Sequence, residues 1–169
     1  MGVAVCRVRP GDASVLKEVR LAALLDTPSA FGSTYAEEVT RTDEHWLHRA
    51  LLASAGRDST VFLAWMDGRA VGIVGGYRPD PATDAVELVS MWTAPEARRA
   101  GVGALLVRAV IDWATENDSS AIGLWVTRGN APAEALYESP GFRATGDYKP
   151  LPSDPCKDEL RMSLHLSEG

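Results

Sequence analysis

The 169-residue sequence predicts an α/β fold of the α+β type, a mixed sheet packed by helices. Three observations predict it. Apolar positions switch repeatedly between helical spacing and short strand-like runs, giving the order β α α β β β α β α β β without an internal repeat. An Asp67-Gly68 pair between two apolar flanks marks a tight antiparallel hairpin. A basic, glycine-paired turn at residues 98–104 leads from an apolar strand into the most regular amphipathic helix of the chain. The length suits one domain with a real core, residues 1–169, and nothing in between reads as a linker.

The elements follow in order. Residues 3–9 read as a first strand ended by Pro10-Gly11, and Asp12 is placed to cap a helix over 13–25. In that helix Val15, Leu16, Val19, Ala22 and Ala23 share a face, with Lys17, Glu18 and Arg20 turned away from it. Thr27-Pro28 stops it. Residues 29–41 have no sustained period and read as a loop with room for one helical turn, suited to a pocket mouth. Thr42 caps a second helix whose stripe is Trp46, Leu47, Ala50, Leu51 and Ser54, with acidic first-turn residues that suit the helix dipole. Residues 60–66 and 70–77 form the hairpin, and 85–93 a mostly buried strand ending at Ala94-Pro95. The helix over 101–117 carries Val102, Leu105, Leu106, Ala109, Val110 and Trp113 on one face and Arg108, Asp112 and Glu116 on the other. A strand over 121–127, a short helix through Tyr137 and a closing strand pair, 142–149 and 159–166 with a Pro-rich loop between them, complete the order.

Composition narrows the function classes. With 46% hydrophobic and 24% charged residues the chain has an ordinary soluble composition, and no run is long enough to span a membrane or serve as a signal peptide. A cytoplasmic location is the expectation. The net charge of −6 supplies no field to attract a polyanion, so nucleic acid is not an expected partner. Cys6 and Cys156 lack the spacing of a zinc or redox pair, and His45 and His48, although i,i+3, lack a third ligand, so no metal is expected.

The turn Arg98-Arg99-Ala100-Gly101-Val102-Gly103-Ala104 is therefore a local anion site on an acidic protein. Arginines supply charge, glycines permit close approach of backbone, and the first-turn N–H groups of the following helix have no intrahelical acceptors. Thirty residues downstream stands a second motif, Asn130-x6-Tyr137-x3-Gly141-Phe142. The Gly-x-Gly turn is too late in the chain, and lacks the third glycine, for a dinucleotide-binding Rossmann turn.

Together the two motifs resemble those of the GCN5-related N-acetyltransferase (GNAT) superfamily, over essentially the whole chain. The resemblance implies a mostly antiparallel sheet with splayed central strands, opened by a bulge, and acetyl-CoA as co-substrate. It implies that backbone groups of Met91, Trp92 and Thr93 pair with the pantetheine arm as an added strand would. Amides from Arg99 through Ala104 would cradle the pyrophosphate, with Arg98 and Arg99 adding charge. Asn130 would hold the pantetheine or cap the helix, and Tyr137 would point its hydroxyl at the sulfur as acid.

An amine such as lysine's is neutral in on the order of one molecule in a thousand at pH 7, so attack on a thioester needs a base or water relay. Glu87 is the candidate base, at the position where histone-acetylating members place a glutamate; period two sets it on the face of Val89, Met91 and Thr93. A solvated or paired edge charge is the alternative reading of Glu87. Trp92 and Trp125 could line an acceptor pocket or pack in the core. The expected function is direct acetyl transfer to a primary amine of a small molecule or protein. A non-catalytic acyl-CoA-binding module is the alternative. Exposed strands at the sheet's end suit a homodimer.

Overall fold

In the computed structural model, which describes residues 2–28 and 31–167, the strands are β1 (Val3–Arg7), β2 (Ser59–Met66), β3 (Arg69–Tyr77), β4 (Val86–Thr93), β5 (Ala121–Thr127), β6 (Arg143–Leu151) and β7 (Asp154–His165). The helices are α1 (Ala13–Asp26), α2 (Tyr35–Glu38), α3 (Asp43–Ala53), α4 (Val102–Glu116) and α5 (Ala131–Glu138). One seven-stranded sheet has the order β1-β2-β3-β4-β5-β7-β6, and every pairing is antiparallel except β4 with β5. Among the described residues no helix is long and apolar enough to cross a membrane.

The parallel junction positions everything that follows. β4 and β5 pair only at Val86 with Ile122 and Glu87 with Gly123, after which the strands diverge. The divergence starts at a bulge. On β3, Gly75 faces Val89 and Ile73 faces Trp92, so Ser90 and Met91 together oppose Val74. Ser90 takes φ +58, a left-handed conformation that a non-glycine residue adopts only where its surroundings hold it. Arg20 is one such holder, donating from Nη1 to Ser90 Oγ at 2.8 Å.

The core lies on both faces. α4 covers one with Val102, Leu106, Val107, Val110, Ile111 and Trp113, while Leu105, expected on that stripe, is 44% exposed. α1 and α3 cover the other with Leu16, Val19, Ala23, Leu24, Trp46 and Ala50.

Four local expectations change. Asp12 makes no capping bond to α1; it closes a Pro10–Asp12 3-10 turn by accepting from the Arg9 N–H at 2.9 Å. Arg20 is buried rather than turned outward. Its guanidinium stacks on Phe31 at 4.7 Å and pairs with buried Glu38 at 3.6 Å. The Pro-rich region is not a loop, because β6 runs through Pro150 and β7 begins at Asp154, leaving a two-residue turn. The bulge also breaks the period-two face of β4: Glu87 and Val89 share their face with Trp92, not with Met91 and Thr93.

Candidate active site

The turn between β4 and α4 folds as its residues require. Pro95–Ala97 form a single 3-10 turn, Arg99 takes φ +65, and Gly101 caps α4 at φ +78 with open space where a Cβ would stand. Leu105 N–H donates to Gly101 C=O at 3.2 Å as the first bond of α4, so the amides of Val102, Gly103 and Ala104 point outward without intrahelical acceptors. Gly103 has a further role. A Cβ there would press on Leu136 Cδ2 at 3.1 Å, so glycine lets α4 lie close to α5.

These amides open on a groove of about 700 Å³. Its wall includes Met91, Trp92 and Thr93 from the open edge of β4, Arg98, Arg99, Gly101, Val102, Gly103 and Ala104 from the turn, and Asn130 from the start of α5. Of the residues expected there, Ala100 and Tyr137 do not line it. Asn130 caps α5, its Oδ1 accepting from Ala133 N–H at 3.3 Å, and still faces the groove.

Arg98 and Arg99 differ. Arg98 donates from Nε to Thr93 C=O at 3.0 Å and from Nη2 to the Asp26 carboxylate, which neutralises its charge and ties the turn to the end of β4 and to α1. Trp92 Nε1 donates to the same carboxylate at 3.0 Å. That indole bond first, then those from Thr27 and Arg98, holds the Asp26 carboxyl below the usual carboxylate range. Among the described residues Arg99 has no ion pair, so it is the turn's unpaired cation.

The groove continues into the gap between β4 and β5. There a smaller cavity of about 110 Å³ is shared by Ser90 and Met91 on β4, Trp125 and Thr127 on β5, Asn130, Ala133, Leu136 and Tyr137 on α5, and Glu159 on β7. Tyr137 is 6% exposed and lies edge-on to the fully buried Phe142, with ring centroids 5.9 Å apart. Phe142 N–H donates to Tyr137 C=O at 3.1 Å. Gly141-Phe142 of the downstream motif thus fixes the tyrosine. Burial pushes the Tyr137 phenol up, so it stays protonated throughout the physiological range as a hydrogen-bond donor.

Glu87 does not join this group. Arg161 Nη1 and Nη2 donate to its two carboxylate oxygens at 2.7 and 2.5 Å, and it lines neither the groove nor the gap. The guanidinium reaches Glu87 by crossing β5 at Gly123, where any Cβ would overlap it. The paired reading of Glu87 is the one seen, and a free carboxylate base at this position is not. Trp125 lines the gap with its ring under two cations, Lys149 Nζ at 4.4 Å and Arg161 Cζ at 5.3 Å. Trp92 is 8% exposed and combines core packing with its bond to Asp26.

Sequence reasoning missed Asp26, Ser90, Arg20, Glu159 and Arg161. For the last two a signal was present: Glu159, Arg161 and Ser163 alternate with Leu160 and Met162, which marks a polar face on a strand inside the sheet. For Asp26, Arg20 and Ser90 the partners lie 66 to 72 residues away and no local pattern announces them.

Comparison with known proteins agrees with this geometry. Human N-acetylaspartate synthetase is 33% identical over 136 residues, covering 79% of this chain and 41% of its own, so the chain spans less than half the length of that relative. A GCN5-related N-acetyltransferase of Kribbella flavida superposes with a TM-score of 0.72 at 29% identity, covering 97% of this chain and 98% of its own. The PaiA N-acetyltransferase of Thermoplasma acidophilum, solved in complex with coenzyme A, shares the fold with a TM-score of 0.75 at 17% identity, covering 98% of this chain and 100% of its own. The pattern of the Acetyltransferase (GNAT) family matches residues 21–142, which run from within α1 through the bulge, the turn and Tyr137 to Phe142, and the chain belongs to that family.

Proposed function

We propose that the protein is an N-acetyltransferase that moves an acetyl group directly from acetyl-CoA to a primary amine of a small molecule or protein. The observation that carries this reading is the opening between β4 and β5, which connects the groove at the N-terminus of α4 with the opposite face of the sheet and has Tyr137 on its wall. The residues present fit acetyl-CoA as co-substrate. Outward amides of Val102, Gly103 and Ala104 with the Arg99 cation suit a pyrophosphate. The unpaired edge of β4 at Met91, Trp92 and Thr93 suits the amide groups of a pantetheine arm, as an added strand would.

On this reading a thioester is held in the gap with its sulfur toward Tyr137. The amine approaches from the Trp125 face, attacks the carbonyl carbon, and the C–S bond breaks with its electron pair passing to sulfur, which takes a proton from the Tyr137 hydroxyl. The names of the relatives agree with nitrogen as the acceptor atom, since they describe N-acetyl products or N-acetyltransferases.

The test incubates the protein with acetyl-CoA and a panel of amines, amino acids and N-terminal peptides, following free thiol. Amine-dependent thiol release is expected. Tyr137→Phe should lower kcat by about 100-fold, the usual size of a positioned proton donor's contribution, with acetyl-CoA affinity unchanged. Tight acetyl-CoA binding without release for any amine, and no loss in Tyr137→Phe, points instead to an acyl-CoA-binding module.

A further inference from the structure

Glu87 is locked by Arg161, so the proton of the incoming amine needs another acceptor. The strand registers separate the two faces of the gap. Thr93 opposite Gly72, whose Cβ position faces Leu106 and Val102, belongs to the α4 side, whereas Glu87, Val89 and Trp92 belong to the α1 side. Continuing across the sheet, Glu87 pairs with Gly123, Trp125 with Arg161 and Thr127 with Glu159, so Trp125 and Glu159 stand on the α1 side. Tyr137 comes from α5, which packs on α4 from the other side through Gly103 and Leu136. A carboxylate and a phenol therefore meet the same small cavity from opposite faces of the sheet.

We infer that Glu159 is the general base of the reaction, taking the proton from the acceptor amine on the face opposite Tyr137, while Glu87 acts only by holding Arg161. This inference rests on the acetyl-transfer reading. The Glu159 side chain is 13% exposed, it lines the gap, and its ion-pair partner is Lys149 at 3.7 Å, beyond a direct charge-assisted bond. Burial raises its carboxyl above the usual range and Lys149 partly opposes this, bringing it closer to the task of a base near neutral pH. The groups that face it are Lys149 on β6, Tyr137 on α5 and, along its own strand, Arg161, whose charge is taken by Glu87 of β4. Asp158 next to it is engaged by Arg128.

The protons balance as follows. Glu159 takes one proton from the ammonium and passes it to solvent. The neutral amine attacks, the C–S bond breaks, and the sulfur takes the Tyr137 proton. The second proton lost by nitrogen returns to Tyr137 through solvent, leaving an acetamide, a CoA thiol and one proton released per turnover.

The experiment measures kcat against pH at saturating amine, with two acceptors of different pKa so that the ionisation of the amine is told apart from that of the enzyme. Glu159→Gln should lower kcat at pH 7 about 100-fold and abolish the acid limb, with the acetyl-CoA Kd within about twofold of the parent. Glu159→Asp should restore part of the rate together with the limb. In Glu87→Gln the limb should persist, displaced to lower pH by the Arg161 charge that Glu87 no longer takes. Lys149→Met should move the limb to higher pH, because the cation that opposes the upward shift is gone; a merely structural role of Glu159 moves no limb. Should Glu159→Gln fail to fold, an unmoved limb in Lys149→Met overturns the assignment and a moved one supports it. Thiol release with an intact limb in Glu159→Gln overturns the base alone. No amine-dependent release by the parent protein, despite acetyl-CoA binding, overturns the transfer reading and this inference with it.

Discussion

Asp26 shows how much one side chain does at the end of a helix. Its Oδ2 accepts from Trp92 Nε1, from Thr27 Oγ1 at 2.8 Å and from Arg98 Nη2, joining α1, the end of β4 and the anion turn at a single oxygen. Because those donors favour the charged form, the folded-state pKa lies below that of the unfolded chain. The stabilisation is therefore present above the unfolded value and is lost as the pH falls through the folded one. The Tm difference between parent and Asp26→Asn should be largest near neutral pH and shrink toward zero in the acid range. Acetyl-CoA affinity should fall in the variant, since Arg98 no longer fixes the turn. Thermal melts from pH 7 downward check this, and a difference that grows on acidification rules it out. Arg98 is thus spent on the shape of the turn, and Arg99 is left, among the described residues, as its unpaired cation.

At the scale of elements, the bulge in β4 stands where β4 and β5 part. It is held from α1, where Arg20 donates to Ser90 Oγ while its charge is balanced by Glu38, itself bound at 3.0 Å by Arg49 from α3. Arg20→Met leaves Glu38 buried with one partner and Ser90 untethered. A loss of about 3 kcal/mol of unfolding free energy is expected, in the range for breaking a buried ion pair from one side. Ser90→Ala should cost only about 1 kcal/mol, one hydrogen bond, yet lower kcat/KM through a looser gap. Urea unfolding and steady-state kinetics measure both, and parental stability in Arg20→Met contradicts the tether. This network also marks where the sequence stops being legible. The strand and helix order, the Asp67-Gly68 hairpin, the Thr42 cap and the Gly101 turn are written in spacings of two to four residues, and they stand where local chemistry puts them. The face to which Met91 points is not so written, because one left-handed serine resets the alternation and its anchor lies 70 residues upstream. Glu87 is a like case: nothing near it in the chain signals that Arg161 crosses Gly123 to occupy both of its oxygens.

For the whole molecule the consequence is a sheet in two halves. β1-β2-β3-β4 and β5-β7-β6 are each joined by antiparallel ladders, yet they share only two residue pairs at one end of β4 and β5. Beyond those pairs the halves are joined by the Arg161–Glu87 ion pair from β7 to β4, by α4 against β3, β4 and β5, and by the contact of α4 with α5 at Gly103. A ligand lying along the open edge of β4 and reaching the amides of α4 would bridge the halves where the ladder does not. At a concentration 100 times its Kd it adds about 2.7 kcal/mol to stability by mass action alone. How that protection is distributed follows from the topology. Amides of β4 after Glu87, of β5 after Gly123 and of the first turn of α4 should slow in hydrogen exchange on addition of acetyl-CoA. Those of the β1-β2 ladder should change by no more than the global increment. Protection that rises equally in every strand would mean that the ligand binds without spanning the gap. Protection concentrated at residues 88–93, 102–104 and 124–127 would mean that the ligand spans the gap from the first turn of α4 to the facing edges of β4 and β5.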